Sequence, residues 1–162
     1  MKKFEFLSHT ADIKIRVYGK NLKEIINNSL LALKNFWEPK LTKIKIEKEI
    51  KVESNNEVNL LIDFLSEVLA ETYIEKAIFI KFIPRIKTPR IRTSSMRGAP
   101  NRASLWFGAD FHADKRGLYS LSGKIIGYKF TFLSKDIKAI TYHQANLQKI
   151  NNQYTFDFVV DI

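Results

Sequence analysis

Three short pieces of the sequence hold residue types that could do chemistry. They are His9-Thr10-Ala11-Asp12 at the entry to a strand-like stretch, Ile137-Lys138-Ala139-Ile140-Thr141-Tyr142-His143 at the entry to another, and the final Val160-Asp161-Ile162. An Asp at a strand start is commonly a turn residue bonding nearby backbone, so Asp12 alone says little. Asp161 is less ordinary, because acids are depleted in strands and this one follows Phe158-Val159-Val160. With Ile162 as the last residue, the Asp161 carboxylate and a terminal carboxylate are expected within one residue of each other. Carboxylates so close repel unless a cation or a basic side chain compensates them. Oxygen donors without thiolates suit a hard ion such as calcium or magnesium. A salt bridge to one of the many lysines is the other reading, and spacing alone does not choose between them. His9 either ligates or orients such a site, or is a hydrogen-bonded structural residue. Alternation places Lys138 on the face of Ile140, with Tyr142 extending it. There Lys138 either snorkels from the edge of the core or stands at a rim to meet phosphate or carboxylate on a partner.

Composition excludes several alternatives. The absence of Cys removes disulfides, thiolate metal sites and cysteine nucleophiles. His9, His112 and His143 are far apart and form no His-x-x-x-His pair, so a structural zinc is not expected. No Gly-rich phosphate loop or Gly-x-Ser-x-Gly elbow is present. A metal-dependent hydrolase would have its carboxylates but no visible nucleophile or second metal cluster. The opening Met1-Lys2-Lys3-Phe4-Glu5-Phe6 lacks the apolar run of a signal peptide, and no apolar run is long enough to cross a bilayer, which makes the cytoplasm the expected compartment. A net charge of +10 and a pI near 9.7 point to an acidic or nucleic-acid partner. Arg85, Lys87, Arg90, Arg92, Arg97 and Arg102 fall in one stretch without an acid. That stretch is either a solvated basic hairpin or, through Arg90, Arg92 and Arg97 with Trp106 or Phe107 for stacking, a contact for tRNA or another RNA.

These residues must be positioned by the surrounding elements. Phe4 to Ser8 and the alternation of Ile13, Ile15 and Val17 with Lys14, Arg16 and Tyr18 predict strands ending at Gly19. Asn21 is placed to cap a helix bearing Leu22, Ile25, Ile26, Ser29, Leu30, Leu33 and Trp37 on one face, closed by Pro39. Thr42 to Glu53 predicts a strand, with a bulge at Lys48-Glu49 where the alternation slips. Ser54-Asn55-Asn56 then leads into a helix carrying Val58, Leu61, Ile62, Leu65, Val68, Leu69 and Thr72. Ala77 to Ile83 reads as a strand, and Pro84 and Pro89 disqualify the stretch that follows as a central strand, so that Pro-bearing piece is expected at an edge. Leu105 to Phe107, Leu118 to Leu121, Lys124 to Phe132, Ala139 to Gln148 and Tyr154 to Ile162 read as further strands separated by Gly or Asn turns. The expected fold is α+β: one domain over residues 1–162, a two-layer sandwich with two amphipathic helices on one face of a mixed, mostly antiparallel sheet, and a basic hairpin at about 84–102.

Taken together, His9-Thr10-Ala11-Asp12 with its strand and Gly19, Leu60-Leu61-Ile62-Asp63-Phe64-Leu65, the Lys138 strand and Val160-Asp161-Ile162 resemble the archease family over about the first 80 and last 35 residues. The resemblance implies a non-catalytic protein cofactor that promotes guanylylation and multiple turnover of an RtcB-type RNA ligase in tRNA splicing and RNA repair. It also implies a metal site, usually calcium, at the positions of Asp12, Asp161 and Ile162, and a functionally important Lys at Lys138. The family's Gly-Glu-x-Phe-like element has its nearest counterpart in Gly108-Ala109-Asp110-Phe111, with Ala109 in place of Glu. The stretch from Pro84 to Asn101 and the Gly117 to Gly127 segment are longer and more basic than the family pattern. The alternative function is a basic tRNA-binding or chaperone-like module.

Overall fold

The computed structural model describes residues 2–8, 12–85 and 117–162. In chain order its elements are β1 (Phe4–Ser8), β2 (Asp12–Gly19), α1 (Leu22–Trp37), β3 (Lys40–Ser54), α2 (Glu57–Glu75), β4 (Ala77–Pro84), β5 (Tyr119–Phe132), β6 (Ala139–Ile150) and β7 (Gln153–Asp161). Of the predicted basic hairpin only Pro84, which closes β4, and Arg85, paired with Glu49, are described; the rest of it, the strand at Leu105–Phe107, His9 and the arginines at 90, 92 and 97 lie outside the described residues.

Both helices start where Asn is placed to cap them. The Asn21 side chain accepts from the Glu24 N–H, and the Glu24 carboxylate accepts from the Lys20 N–H just outside the cap. Asn56 accepts from the Asn59 N–H in the same way. α1 stops at Glu38, left-handed at φ 47°, ahead of Pro39. Leu60, Leu61, Ile62, Phe64, Leu65, Val68, Leu69 and Thr72 are all buried on α2, and at about 100° per residue they wrap roughly 200° of its circumference. One sheet cannot cover so broad a surface. The α+β class with two helices on antiparallel sheet holds, but the strands divide into two sheets, β1-β2-β7-β6 and β3-β5-β4. α1 meets β2 and β4, α2 meets β6 and β3, so each helix is covered from both. Every pairing among the described residues is antiparallel.

Two local expectations are corrected. Leu118–Leu121 and Lys124–Phe132 are not separate strands, because β5 runs unbroken through Gly123 and Gly127. These glycines make room for the edge strand β4 rather than turning the chain: a Cβ at Gly123 would stand 2.2 Å from the Ile83 carbonyl oxygen, and one at Gly127 2.2 Å from that of Ile78. The bulge expected at Lys48-Glu49 is absent, and the register with β5 is regular there, its shifts lying between Lys40 and Lys45. Lys48 keeps the inward phase of Ile46 and Ile50, its ammonium bound by Glu71 at 3.0 Å and Glu75 at 2.9 Å on α2.

Asp157 on β7 is the one charged side chain buried among the described residues. It stands opposite Arg16 of β2, whose Nε and a terminal nitrogen donate to its two oxygens at 2.8 Å each. Lys14 Nζ lies 3.3 Å from the same carboxylate. The Arg16 hydrogen bonds, helped by Lys14, hold the Asp157 carboxyl below its ordinary range against the opposing effect of burial.

Gly127→Ala should destabilise the fold by about 2 kcal/mol or more in urea unfolding, since neither backbone at the contact can yield without breaking the ladder; an unchanged midpoint would mean β4 does not approach β5 this closely. For Asp157 the folded pKa lies below the unfolded value of about 3.9. Its stabilisation is therefore complete above that value and is lost as pH falls through it to the folded pKa. Between about pH 5 and pH 2 the urea midpoint of the wild type should fall more steeply than that of Asp157→Asn; parallel curves would show that the ion pair adds no pH-dependent stability.

Candidate functional site

Asp12 opens β2 and Asp161 closes β7, and the antiparallel register sets them directly opposite each other. The core fixes that register. Ile15 and Val17 of β2 and Phe156, Phe158 and Val160 of β7 are buried on one face, and a slip of one residue would turn all of them outward. The other face is left with Asp12 and Asp161, whose Cβ atoms in such a pair stand about 4.5–5.5 Å apart, where like charges destabilise. Both residues are partly exposed. Among the described residues neither carboxylate has an ion-pair partner.

Lys138 closes the third side. β6 pairs with β7 so that Ala139 faces Asp161. The Lys138 N–H donates to the Asp161 carbonyl at 2.8 Å, and Lys138 Nζ donates to the main-chain oxygen of Ile162 at 3.0 Å. Lys138 is exposed while Ile137 and Ile140 are buried. The strand begins only at Ala139. The Tyr142 hydroxyl donates to Asp63 Oδ1 on α2, which pushes the phenol pKa up. β6 is irregular between Thr141 and Asn146, with Gln144 left-handed at φ 55°, and His143 is exposed in this stretch.

The structure thus brings Asp12, Asp161, Ile162 and Lys138 together. No group of three or more His, Asp or Glu side chains suited to a metal occurs among the described residues. The donors on hand at the β2–β7 end are two opposed carboxylates and main-chain oxygens, all hard. A carboxylate pair with no ion-pair partner among the described residues fits a cation that takes oxygen ligands and completes its shell with water, as calcium does, and does not fit zinc.

The same face carries a second charge group that the sequence reading passed over. Two residues beyond Asp12 on β2 is Lys14, opposite Val159, and beyond it Arg16, opposite Asp157. From β1, Glu5 stands opposite Arg16 and accepts from the Tyr18 hydroxyl. The signal was available: Asp157 and Asp161 are four apart in a strand, hence on one face, as are Asp12, Lys14 and Arg16.

A family model described as the Archease protein family (MTH1598/TM1083) matches residues 4–162. Protein archease of Methanosarcina barkeri is 30% identical over 166 residues, spanning 99% of this chain and 97% of that protein. Protein archease of Sulfurisphaera tokodaii is 31% identical over 170 residues, spanning 100% of both. Among solved structures, that of Methanobacterium thermoautotrophicum protein 1598 superposes with a TM-score of 0.69 at 22% identity, covering 100% of each chain. A Thermotoga maritima protein described as an archease and possible chaperone gives a TM-score of 0.62 at 16% identity, covering 96% of this chain and 94% of that one. These last two likenesses speak to the fold, whereas the family match and the identity over nearly the full length carry more: the chain belongs to the archease family.

Proposed function

We propose that this family member is a non-catalytic cytoplasmic cofactor of an RtcB-type RNA ligase, promoting its guanylylation and repeated turnover through a divalent-cation site at Asp12 and Asp161. The observation that supports it is the direct opposition of those two carboxylates, with Lys138 tied to the main chain of Asp161 and Ile162. Asp12, Asp161 and the main-chain oxygen of Ile162 would hold the ion, that oxygen offering one lone pair to the ion and the other to the Lys138 ammonium, with calcium the best match to oxygen donors. When bound, the ion neutralises the pair and presents a positive centre to anionic groups of the ligase or its nucleotide.

The protein's own residues do the rest. The buried register of β2 with β7 keeps the carboxylates aligned. Lys138, exposed and anchored at both its N–H and its ammonium, adds a second positive group whose position is set by the strand end. Such a rigid charged patch raises turnover only by binding the nucleotidyl-transfer-competent state of the ligase more tightly than the stalled one, because equal affinity shifts no equilibrium.

The test is a multiple-turnover ligation with limiting ligase, GTP and a 3′-phosphate RNA. Wild type should convert a stalled ligase into a cycling one. Asp12→Ala and Asp161→Ala should each lower stimulation by about tenfold or more while keeping the wild-type circular dichroism spectrum; full stimulation by a folded, cation-free variant would remove the site from the mechanism. Lys138→Ala should lose stimulation yet still bind calcium, and loss of both would make Lys138 a structural tie only.

A further inference from the structure

The acidic pair has a potential competitor for its cation within its own strand. Lys14 faces the same side as Asp12 and stands opposite Val159. On β7 the two same-face neighbours of Val159 are Asp157 and Asp161. Lys14 is therefore diagonal to two carboxylates, one on each side. Diagonal neighbours are about 7–8 Å apart, within reach of a long side chain in either direction. In the structure its ammonium is 3.3 Å from Asp157 and makes no ion pair with Asp161. Asp157 is in turn locked in place by the two-point hydrogen bond from Arg16, and its side chain is 9% exposed.

We propose that Asp157 is a positioning residue for the cation site: it holds the Lys14 ammonium away from Asp12 and Asp161, so that the pair remains available to a divalent ion. The inference rests on the Asp12–Asp161 site proposed above. It adds that cation affinity is set from two same-face positions away along β7, by a carboxylate that itself does not ligate. Electrostatics favours the arrangement. With Lys14 on Asp157, the Arg16–Asp157–Lys14 group carries one net positive charge beside an acidic pair of two negative charges. Without Asp157, the carboxylates diagonal to Lys14 are Glu5 on β1 and Asp161 on β7; the Glu5 oxygens are already engaged by Lys2 and the Tyr18 hydroxyl, which leaves the acidic pair, and a lysine bound there neutralises half its charge and takes its oxygens. Arg16 is the less apt competitor, since it lies one register position farther away and faces Glu5 on its other side.

The experiment is isothermal titration of calcium chloride into the metal-free full chain and its variants. Asp157→Asn should weaken calcium binding by about tenfold or more. Asp157→Glu, which keeps the charge, should stay within a few-fold of wild type. The double variant Lys14→Met with Asp157→Asn should recover wild-type affinity, which damage to the fold would not allow. Lys14→Met alone supplies a check independent of how well Asp157→Asn folds: with Lys14 already held off, its removal should tighten binding by only a few-fold. A tenfold or greater tightening would overturn the proposal, as would unchanged affinity in Asp157→Asn or failure of the double variant to recover. A wild-type protein that takes up no calcium would overturn the site itself, a result distinct from failure of the Asp157 role alone.

Discussion

The pairing register of β2 with β7 is the constraint on which the rest of the molecule depends. It is enforced from below, where Ile15, Val17, Phe156, Phe158 and Val160 pack into the core, and burying side chains of that size contributes about 1.5–3 kcal/mol each. The upper face carries the consequence. Asp12 meets Asp161, Lys14 meets Val159, and Arg16 meets Asp157, in that order along one side of the sheet. Repulsion between two opposed carboxylates is of order 1 kcal/mol at a strand surface, far less than the burial that holds the strands in place. The fold can therefore keep two like charges together that would separate if free to move.

The helices serve that register indirectly. With apolar residues over about half the circumference of α2, neither sheet alone removes them from water, and the second sheet is needed to complete the core. Its own close packing uses Gly123 and Gly127 to bring β4 against β5. Lys48, reaching inward from β3 to Glu71 and Glu75, ties that sheet to α2 at its rim. The four-stranded sheet is left with one face on the helices and one bearing the acidic pair and the basic residues beside it.

Much of this was legible in the sequence, for physical reasons that differ by element. Both N-caps could be read because Asn at that place has a specific bonding role, and the strands at Asp12 and Asp161 because their apolar residues alternate. The division into two sheets was not legible, since periodicity gives one face of a helix and does not say how wide a cover the fold supplies. Gly123 read as a turn because the same residue type serves turning and close approach, and only the partner strand decides which. Lys14, Arg16 and Asp157 were overlooked as ordinary strand polar residues; their importance comes from diagonal contacts across β2 and β7, which exist only once the register is known.

The acidic pair, its anchored lysine and the ion pair beside it form one electrostatic unit, in which basic residues are held near the carboxylates without neutralising them. The central claim is that a divalent ion sits between Asp12 and Asp161. It is tested most directly by crystallising the protein with terbium, a calcium substitute, and locating the ion from its anomalous scattering. The prediction is one strong peak within about 2.3–2.6 Å of carboxylate oxygens from both residues, with Lys14 still on Asp157. No peak there, or the Lys14 ammonium lying between the two carboxylates instead, would contradict it.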